Sequence, residues 1–556
     1  MFFESPKSSK MKTIHLLFFS LFILPCTAQN CYTKYWDKSF GGNMADSHFN
    51  NHTSNSGSIY LVSASANGIS GNKTIDNCGG YDFWVLKLDA SGQIVWQIVL
   101  GGHNFEEEPF LNILSDGNLI LVGEGRGIDT ACNRLAVSHS NNTRDIWAIK
   151  IDTNGNRIWD MNYGSLGNEL QPNIVELSNG QLMLLCSTTY QTADGDRTAP
   201  GKGGNDTWVV KINANGSKVW DRVYGGIGGD VLNTAVADDH GNCILVGSTS
   251  GPAGGDISDS CRGGNDAWII KIDSSGNKVW DKRYGGLTDE TISHAERTAD
   301  NGFILCGETT SPQSGDVSEP KKGSGIFNTW VIKLDSLGNK QWDHRYGGGN
   351  YTIGAFYWGT RAKWIVHDPS GGYVFCGYTD DTLGCDMIDT MYLGGDFFVI
   401  KIDDLGNKIW DKRFGGMSYD DANSIAFLSD TSMVVAGPSG SGVNGNRTCP
   451  RFGVGDNWVI RFRMSSSPLN INDVVSDIGR LILYPNPSDG IVRYHSDLKT
   501  LKSITVYDAL GKVVMIQDNQ ISIDIDEIDL SKCSSGLYTI RLCGTEGERT
   551  GRILRN

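Results

Sequence analysis

The sequence predicts an all-β protein, and three observations carry that prediction. Of 556 residues, 70 are Gly and 54 are Trp, Tyr or Phe, while charged residues make up only 20%. That is the composition of a turn-rich, packed chain and not of a disordered one. Apolar residues come in short runs bounded by Gly, Asp and Asn. The middle of the chain also repeats itself. The Gly residues follow no Gly-X-Y period, which excludes collagen. Asp and Glu exceed Lys and Arg by 63 to 48, for a net charge of −15. Nucleic acid and anionic membrane both need a basic surface, so neither is expected as the main partner.

The N-terminus reads as an export signal. Residues 14–25 are almost wholly apolar, Lys12 precedes them, and small residues follow up to Ala28. The run is shorter than the roughly 20 residues a helix needs to cross a bilayer. It predicts a secretory signal peptide over 1–28, starting at Met11 behind an extension 1–10 and cleaved after Ala28. Acylation of Cys26 is the alternative, which Pro25 directly before it fits poorly. No second long apolar run follows, so no membrane anchor is expected.

The repeat has two recurring elements. Trp208-Val-Val-Lys-Ile-Asn213 returns as Trp268-Ile-Ile-Lys-Ile-Asp273, Trp330-Val-Ile-Lys-Leu-Asp335 and Phe398-Val-Ile-Lys-Ile-Asp403, with further copies at Trp84, Trp147 and Trp458. The second, Trp-Asp-x-x-Tyr/Phe-Gly-Gly, starts at Trp36, Trp96 (with Gln97 for Asp and Leu100 for the aromatic), Trp159 (with Ser165 for the second Gly), Trp220, Trp280, Trp342 and Trp410, at spacings of 60, 63, 61, 60, 62 and 68 residues. Each unit reads as four strands. Trp268–Asp273 and Lys278–Arg283 flank the turn Ser274-Ser275-Gly276-Asn277, and Ile292–Thr298 and Phe303–Gly307 flank Asp300-Asn301-Gly302. Four antiparallel strands repeated in this way predict the blades of a β-propeller. The chain opens on a lone fourth strand, Tyr35–Phe40, and the repeat closes on a third strand, Trp458–Arg463, that lacks a fourth. Pairing the two halves would close a ring of seven blades over 30–464 and leave no open sheet edge. On the acidic-Gly lead-in, the aromatic-Val-x-Lys-Leu-Asp strand, the Ser-Gly-Asn turn and the Gly-Gly exit, the stretch 36–463 resembles the seven-bladed propeller repeat of secreted bacterial proteins. That resemblance implies a fold and carries no catalytic residues.

A polar linker over 465–479 leads to a second domain, 480–556. Short strands are expected at Leu481–Tyr484, Gly490–Tyr494, Ile504–Tyr507, Lys512–Ile516, Ile521–Ile525 and Leu537–Leu542, forming a small Ig-like β-sandwich. The succession Tyr484-Pro-Asn-Pro-Ser-Asp-Gly490, Asp508-Ala-Leu-Gly-Lys512, Ser535-Gly-Leu-Tyr538 and the basic tail Arg549, Arg552 and Arg555 resembles the type A C-terminal sorting domain of the type IX secretion system of Bacteroidota. It implies the type IX machinery as a partner and a secreted or cell-surface destination.

Candidate chemistry is sparse. Thirteen Cys suit an oxidising compartment. Cys186, Cys243, Cys306 and Cys376 fall in second strands as core thiols, while Cys78, Cys132, Cys261, Cys385 and Cys449 fall in long loops on one face. The absence of Cys-x-x-Cys argues against zinc. Lys271 in the third strand and Asp281 in the fourth are expected to pair across the strands if Ile270 opposes Trp280. The sharpest feature is an acidic residue four positions after each Gly-Gly: Asp46, Glu106, Glu169, Asp230, Glu290 and Asp420, with Thr352 in the sixth unit. Opening the innermost strands, these would circle one channel mouth. They would then either hold a cation such as Ca²⁺ or cap the links between blades. No catalytic residues and no cofactor other than that Ca²⁺ are expected. The leading functional reading is a binding or adhesion module for an extracellular glycan or protein. The alternatives are a polysaccharide hydrolase or lyase using the irregular sixth unit (Phe356, Tyr357, Trp358, Trp364, His367, Asp368) and a structural spacer.

Overall fold

The computed structural model describes residues 31–465, apart from 45, 54–56, 67, 129, 131, 141, 190, 351–356 and 429–430. It also describes 481–556, apart from 485–487, 497–500, 509–511, 519–526 and 545–546. The expected signal peptide, the linker after Ser465 and residues 351–356 of the irregular sixth unit therefore lie outside the described residues, as do Pro485–Pro487 and the expected strand Ile521–Ile525. All regular structure among the described residues is β. Contacts divide the chain into Tyr32–Met464 and a unit containing Ser465–Asn556.

Tyr32–Met464 contains seven four-stranded sheets. The first six each take four consecutive strands, as in the fourth sheet: Asp230–Ala237, Cys243–Thr249, Asp266–Ile272 and Lys278–Tyr284. The first strands of the others are Asp46–Thr53, Glu106–Ile113, Glu169–Glu176, Glu290–Arg297, Thr360–His367 and Ser424–Phe427. First strands of successive sheets touch one another, and Asp46–Thr53 also touches Ser424–Phe427. The seventh sheet orders Ser424–Phe427, Met433–Ser439 and Asp456–Ser465, and its fourth place is taken by the N-terminal strand Cys31–Phe40. The two halves expected to complete one sheet do so.

The middles of third strands, such as Trp268-Ile-Ile270, are apolar because both of their faces are covered. Trp268, Ile270 and Ile272 pack on Met183, Leu185, Val209 and Tyr224 of the third sheet. Ala267 and Ile269, one register step away, pack on Ile292, Leu305 and Trp330 of the fifth. Each pair of neighbouring sheets shares such a core, including the seventh and first, where Phe40, Val434 and Val459 meet Leu61, Trp84 and Leu86. The six third-strand tryptophans are fully buried. Each indole N–H needs an acceptor there, and the fourth strand supplies it: Asp37 to Trp458 at 3.1 Å, Asp221 to Trp208 at 3.0 Å, Asp343 to Trp330 at 2.9 Å and Gln97 to Trp84 at 3.1 Å.

This duty corrects one expectation. Ile270 faces Asp281, and Lys271 faces Trp280. Asp281 takes the Trp268 indole and Lys278 (2.8 Å), while Lys271 lies 3.7 Å from Asp238. The charge pair expected across the strands does not form, because the buried indole claims the carboxylate.

In the smaller unit, Leu481–Tyr484, Ile491–Ser496 and Glu527–Asp529 form one sheet. Val513–Asp518, Leu501–Tyr507, Gly536–Gly544 and Gly547–Arg555 form the other. Their shared core includes Val492 and Ile528 from the first and Ile504, Val506, Ile540, Leu542 and Ile553 from the second. The basic tail is a strand paired along its whole length with Gly536–Gly544. Glu548, Thr550 and Gly551 break the apolar alternation by which a strand is recognised.

Asp37 ties the N-terminal strand to the seventh sheet. It takes bonds from Trp458, Thr448 and Lys34. Burial pushes its carboxyl up, but the bonds from Lys34 and Thr448 outweigh this and hold it at about 2. A lowered acid contributes stability above its unfolded pKa and loses it as pH falls through the folded value. Asp37→Ala is expected to cost about 2 kcal/mol or more at pH 7. Urea titrations of the variant and the parent should converge as pH falls from 4 towards 2.

Candidate functional site

The six acidic positions predicted from the Gly-Gly spacing are all buried. Asp46, Glu106, Glu169, Asp230 and Glu290 head their first strands, and Asp420 bridges Ser439 just ahead of its own. Each carboxylate turns back on the preceding link and accepts the N–H of its second residue. The donors are Gly42 (3.1 Å), Gly102 (3.0 Å), Ser165 (3.1 Å), Gly226 (2.6 Å), Gly286 (2.7 Å) and Gly416 (3.0 Å). Hydroxyls of Thr188, Thr249, Thr309 and Ser439, at the ends of second strands, reach the other oxygen of their acid. In the sixth link Thr352 lies outside the described residues, and the Gly348 N–H goes to Asp381 at 3.0 Å. Thr360, heading that first strand, donates its hydroxyl to the same carboxylate at 2.6 Å. Asp381 comes from beyond the second strand, so no fixed offset from the Gly-Gly could reveal it.

A second buried acidic series heads the third strands: Asp82, Asp145, Asp206, Asp266, Asp396 and Asp456, with Asn328 in the fifth sheet. These side chains accept loop N–H groups, Lys202 to Asp206 at 2.6 Å and Arg262 to Asp266 at 2.9 Å. They also lie against the first link residue, where a Cβ on Gly225 or Gly285 would fall on the Asp206 or Asp266 carboxylate. The same glycines donate their N–H groups to loop carboxylates, Gly225 to Asp256 at 3.0 Å and Gly285 to Asp316 at 3.1 Å.

Buried acids, two in most sheets and Glu290 with Asn328 in the fifth, call for a cation, and each sheet supplies one by one of two routes. In sheets four, five and six it is a fourth-strand arginine: Arg283, Arg345 or Arg413. In the other four sheets that strand position holds Val99, Asn162, Val223 or Ser39, and the loop ahead of the third strand supplies Lys73, Arg134, Arg197 or Arg447. The loop position is the apolar Ile257, Val317 or Met387 wherever the strand carries the arginine. Both routes reach the end of the second strand. Arg283 bonds Asp266 (2.8 Å), Gly251 O (2.6 Å) and Thr249 O (3.0 Å), while Arg197 bonds the Thr188 hydroxyl (2.8 Å) and Arg134 bonds Glu106 (3.1 Å). Burial still pushes Glu169 and Asp396 up to about 7.

The first strands also bound an open cavity of about 410 Å³. Phe110, Asn173, Thr234, His294 and Trp364, all at the fifth position of their strands, line it together with Val175, Val236, Val366, Ala426 and Glu296. His294 stacks on Trp364 at 3.7 Å between ring centroids, and Phe110 lies 6.1 Å from the same indole. Burial pushes Glu296 up to about 7. Of the aromatics flagged in the sixth unit, Trp364 lines this cavity, Trp358 is exposed, and Phe356 lies outside the described residues. The His367 ring packs edge-on against Tyr373, and Asp368 is held by Lys401 at 2.8 Å. Glu296, His294 and Phe110 were not singled out in the sequence. His294 and Phe110 share the fifth position of their strands and Glu296 holds the seventh of its own, positions whose residue type changes from one unit to the next.

Cys186, Cys243, Cys306 and Cys376 are buried free thiols, and Cys261 and Cys385 are exposed. Cys78 and Cys132 are bridged, with His103 beside them. Three separate segments supply this cluster, which a search for Cys-x-x-Cys cannot find.

Residues 482–555 match the family of secretion system C-terminal sorting domains. The protein is thus exported, to the medium or the cell surface, and no helix among its described residues is long and apolar enough to cross a membrane. No curated protein matches the sequence. Similar solved structures include the hydrazine synthase of Kuenenia stuttgartiensis, 11% identical over 71% of this chain and 92% of that one, with a TM-score of 0.41. A Dyadobacter fermentans DSM 18053 protein of unknown function is 14% identical over 64% and 96%, with a TM-score of 0.37. The NanB sialidase of Streptococcus pneumoniae is 10% identical over 80% and 95%, with a TM-score of 0.37. Likenesses at these scores carry no argument about activity.

The two cation routes predict a rescue. Arg283→Val strands buried carboxylates and should cost about 3–5 kcal/mol. Adding Ile257→Arg reproduces the third sheet's arrangement and should recover more than half of that loss in chemical denaturation.

Proposed function

We propose that Tyr32–Met464 is a closed seven-bladed β-propeller serving as a secreted or surface-displayed binding and adhesion module for an extracellular glycan or protein. In this reading a signal peptide over 1–28 directs the chain to the periplasm of a Bacteroidota cell. The type IX machinery then exports it through 480–556, an Ig-like sandwich joined by a linker over 465–479. Ring closure is supported by the apolar core between the seventh and first sheets and by the N-terminal strand completing the seventh. The acidic positions Asp46, Glu106, Glu169, Asp230, Glu290 and Asp420 are assigned to holding the links and not to Ca²⁺, because their oxygens face amides, hydroxyls and buried cations.

The cavity at the first strands carries the binding reading. It is the place where side chains from several sheets converge, and it joins aromatic and apolar walls to a carboxylate, the mix of a small-ligand site. Arrays of glycans and proteins probed with the mature full-length chain test this. A specific hit should be weakened at least tenfold by Trp364→Ala in a protein that still melts cooperatively. A hit indifferent to that change would place binding elsewhere. Deleting 480–556 should leave the chain in the periplasm of a type IX-competent cell, and surface delivery without it would refute the sorting role.

A further inference from the structure

We propose that the cavity at the first strands takes an ammonium group carried on a compact apolar body, with Glu296 as its counter-ion. The inference rests on the reading of this cavity as the binding site, and it names the ligand class.

The cavity's charges decide the class. Glu176 has both oxygens engaged, by the Ser115 N–H and hydroxyl at 2.7 Å each. Arg297 is matched by Asp239 at 2.6 Å and bonds Asn301 at 2.6 Å. The His294 ring sets Nδ1 3.0 Å from the Ile365 carbonyl and its face on Trp364. Glu296 accepts one N–H, from His367 at 2.8 Å, and no charged group opposes it among the described residues. Protein surrounds this carboxylate on the sides, yet it lines an open cavity. It has therefore lost much of its hydration and gained only the His367 amide in return, with no charged partner, and an entering cation would restore what burial removed.

The walls select further. Val175, Val236, Val366 and Ala426 give part of the wall an apolar surface for the ligand's body, and the aromatic rings of Trp364 and Phe110 attract a cation. An anion would meet two carboxylates. A neutral ligand would leave Glu296 unpaired. A volume near 410 Å³ suits a small molecule or one long side chain. The ammonium could come from a free amine or from a lysine of a protein.

The test uses the mature full-length chain at pH 7.5, with calorimetry and tryptophan fluorescence. The ligands are choline, its neutral isostere 3,3-dimethylbutan-1-ol, and Nα-acetyl-lysine amide. Choline or the lysine amide should bind at least tenfold more tightly than the isostere, and whichever of the two is tighter identifies the source. Glu296→Gln should lose that preference while melting no lower than the parent. Glu308→Gln, whose carboxylate pairs with Arg361 outside the cavity lining, should keep it. If the isostere binds equally well, or Glu296→Gln binds cations unchanged, the ammonium assignment fails and the cavity remains a binding site. If none of the three ligands gives a signal that Trp364→Ala abolishes, the assignment fails with the cavity reading.

Discussion

Every step from one sheet to the next drives a short link, Gly-Gly or in one case Gly164-Ser165, into the interior, and the amides of that link must find acceptors there. An unpaired buried N–H costs on the order of 1–3 kcal/mol, and seven links repeat the demand. The answer is a carboxylate at the head of the first strand, another at the head of the third, and one cation to balance them. Gly225 and Gly285 show how tightly this is built, since a Cβ on either would occupy the space of the neighbouring carboxylate. The sheets could not stack face to face, and the tryptophan cores between them could not close, unless the links were satisfied first.

The exceptions show what the constraint acts on. In the sixth link the acid comes from Asp381, and its oxygen still sits 3.0 Å from the Gly348 amide. The balancing cation comes from the fourth strand in three sheets and from the loop in four, and it reaches the end of the second strand either way. What is fixed is a charge at a place, and the residue that delivers it can change. The pairing of Arg283 with Ile257, against Val223 with Arg197, is the same volume and charge divided in two ways.

Links and cores repeat from sheet to sheet, but the side chains that first strands turn towards the cavity do not. Phe110, Asn173, Thr234, His294 and Trp364 share one position and have nothing else in common. A position that structure leaves open is where recognition can be written, as loops are on other scaffolds. A carboxylate such as Glu296, unmatched among these walls, adds nothing to stability that a glutamine would not.

The sequence by itself determined the all-β class, the sevenfold repeat, the N-terminal strand that completes the last sheet, and the exported destination. These are local patterns: strand period, turn glycines, an unfinished unit at each end, and motif succession near the C-terminus. It also placed the acidic residues at the heads of first strands. Only the tertiary structure decided where their oxygens point, because orientation depends on how the chain folds back onto the link amides and on cations tens of residues away, as Arg134 is from Glu106. The register of Ile270 against Asp281 was likewise set by the buried Trp268 indole and not by the charges that suggested Lys271. The strand Gly547–Arg555 was hidden because its alternation is broken. Asp381 and the cavity residues were hidden because their meaning lies in convergence across sheets, which no single segment records.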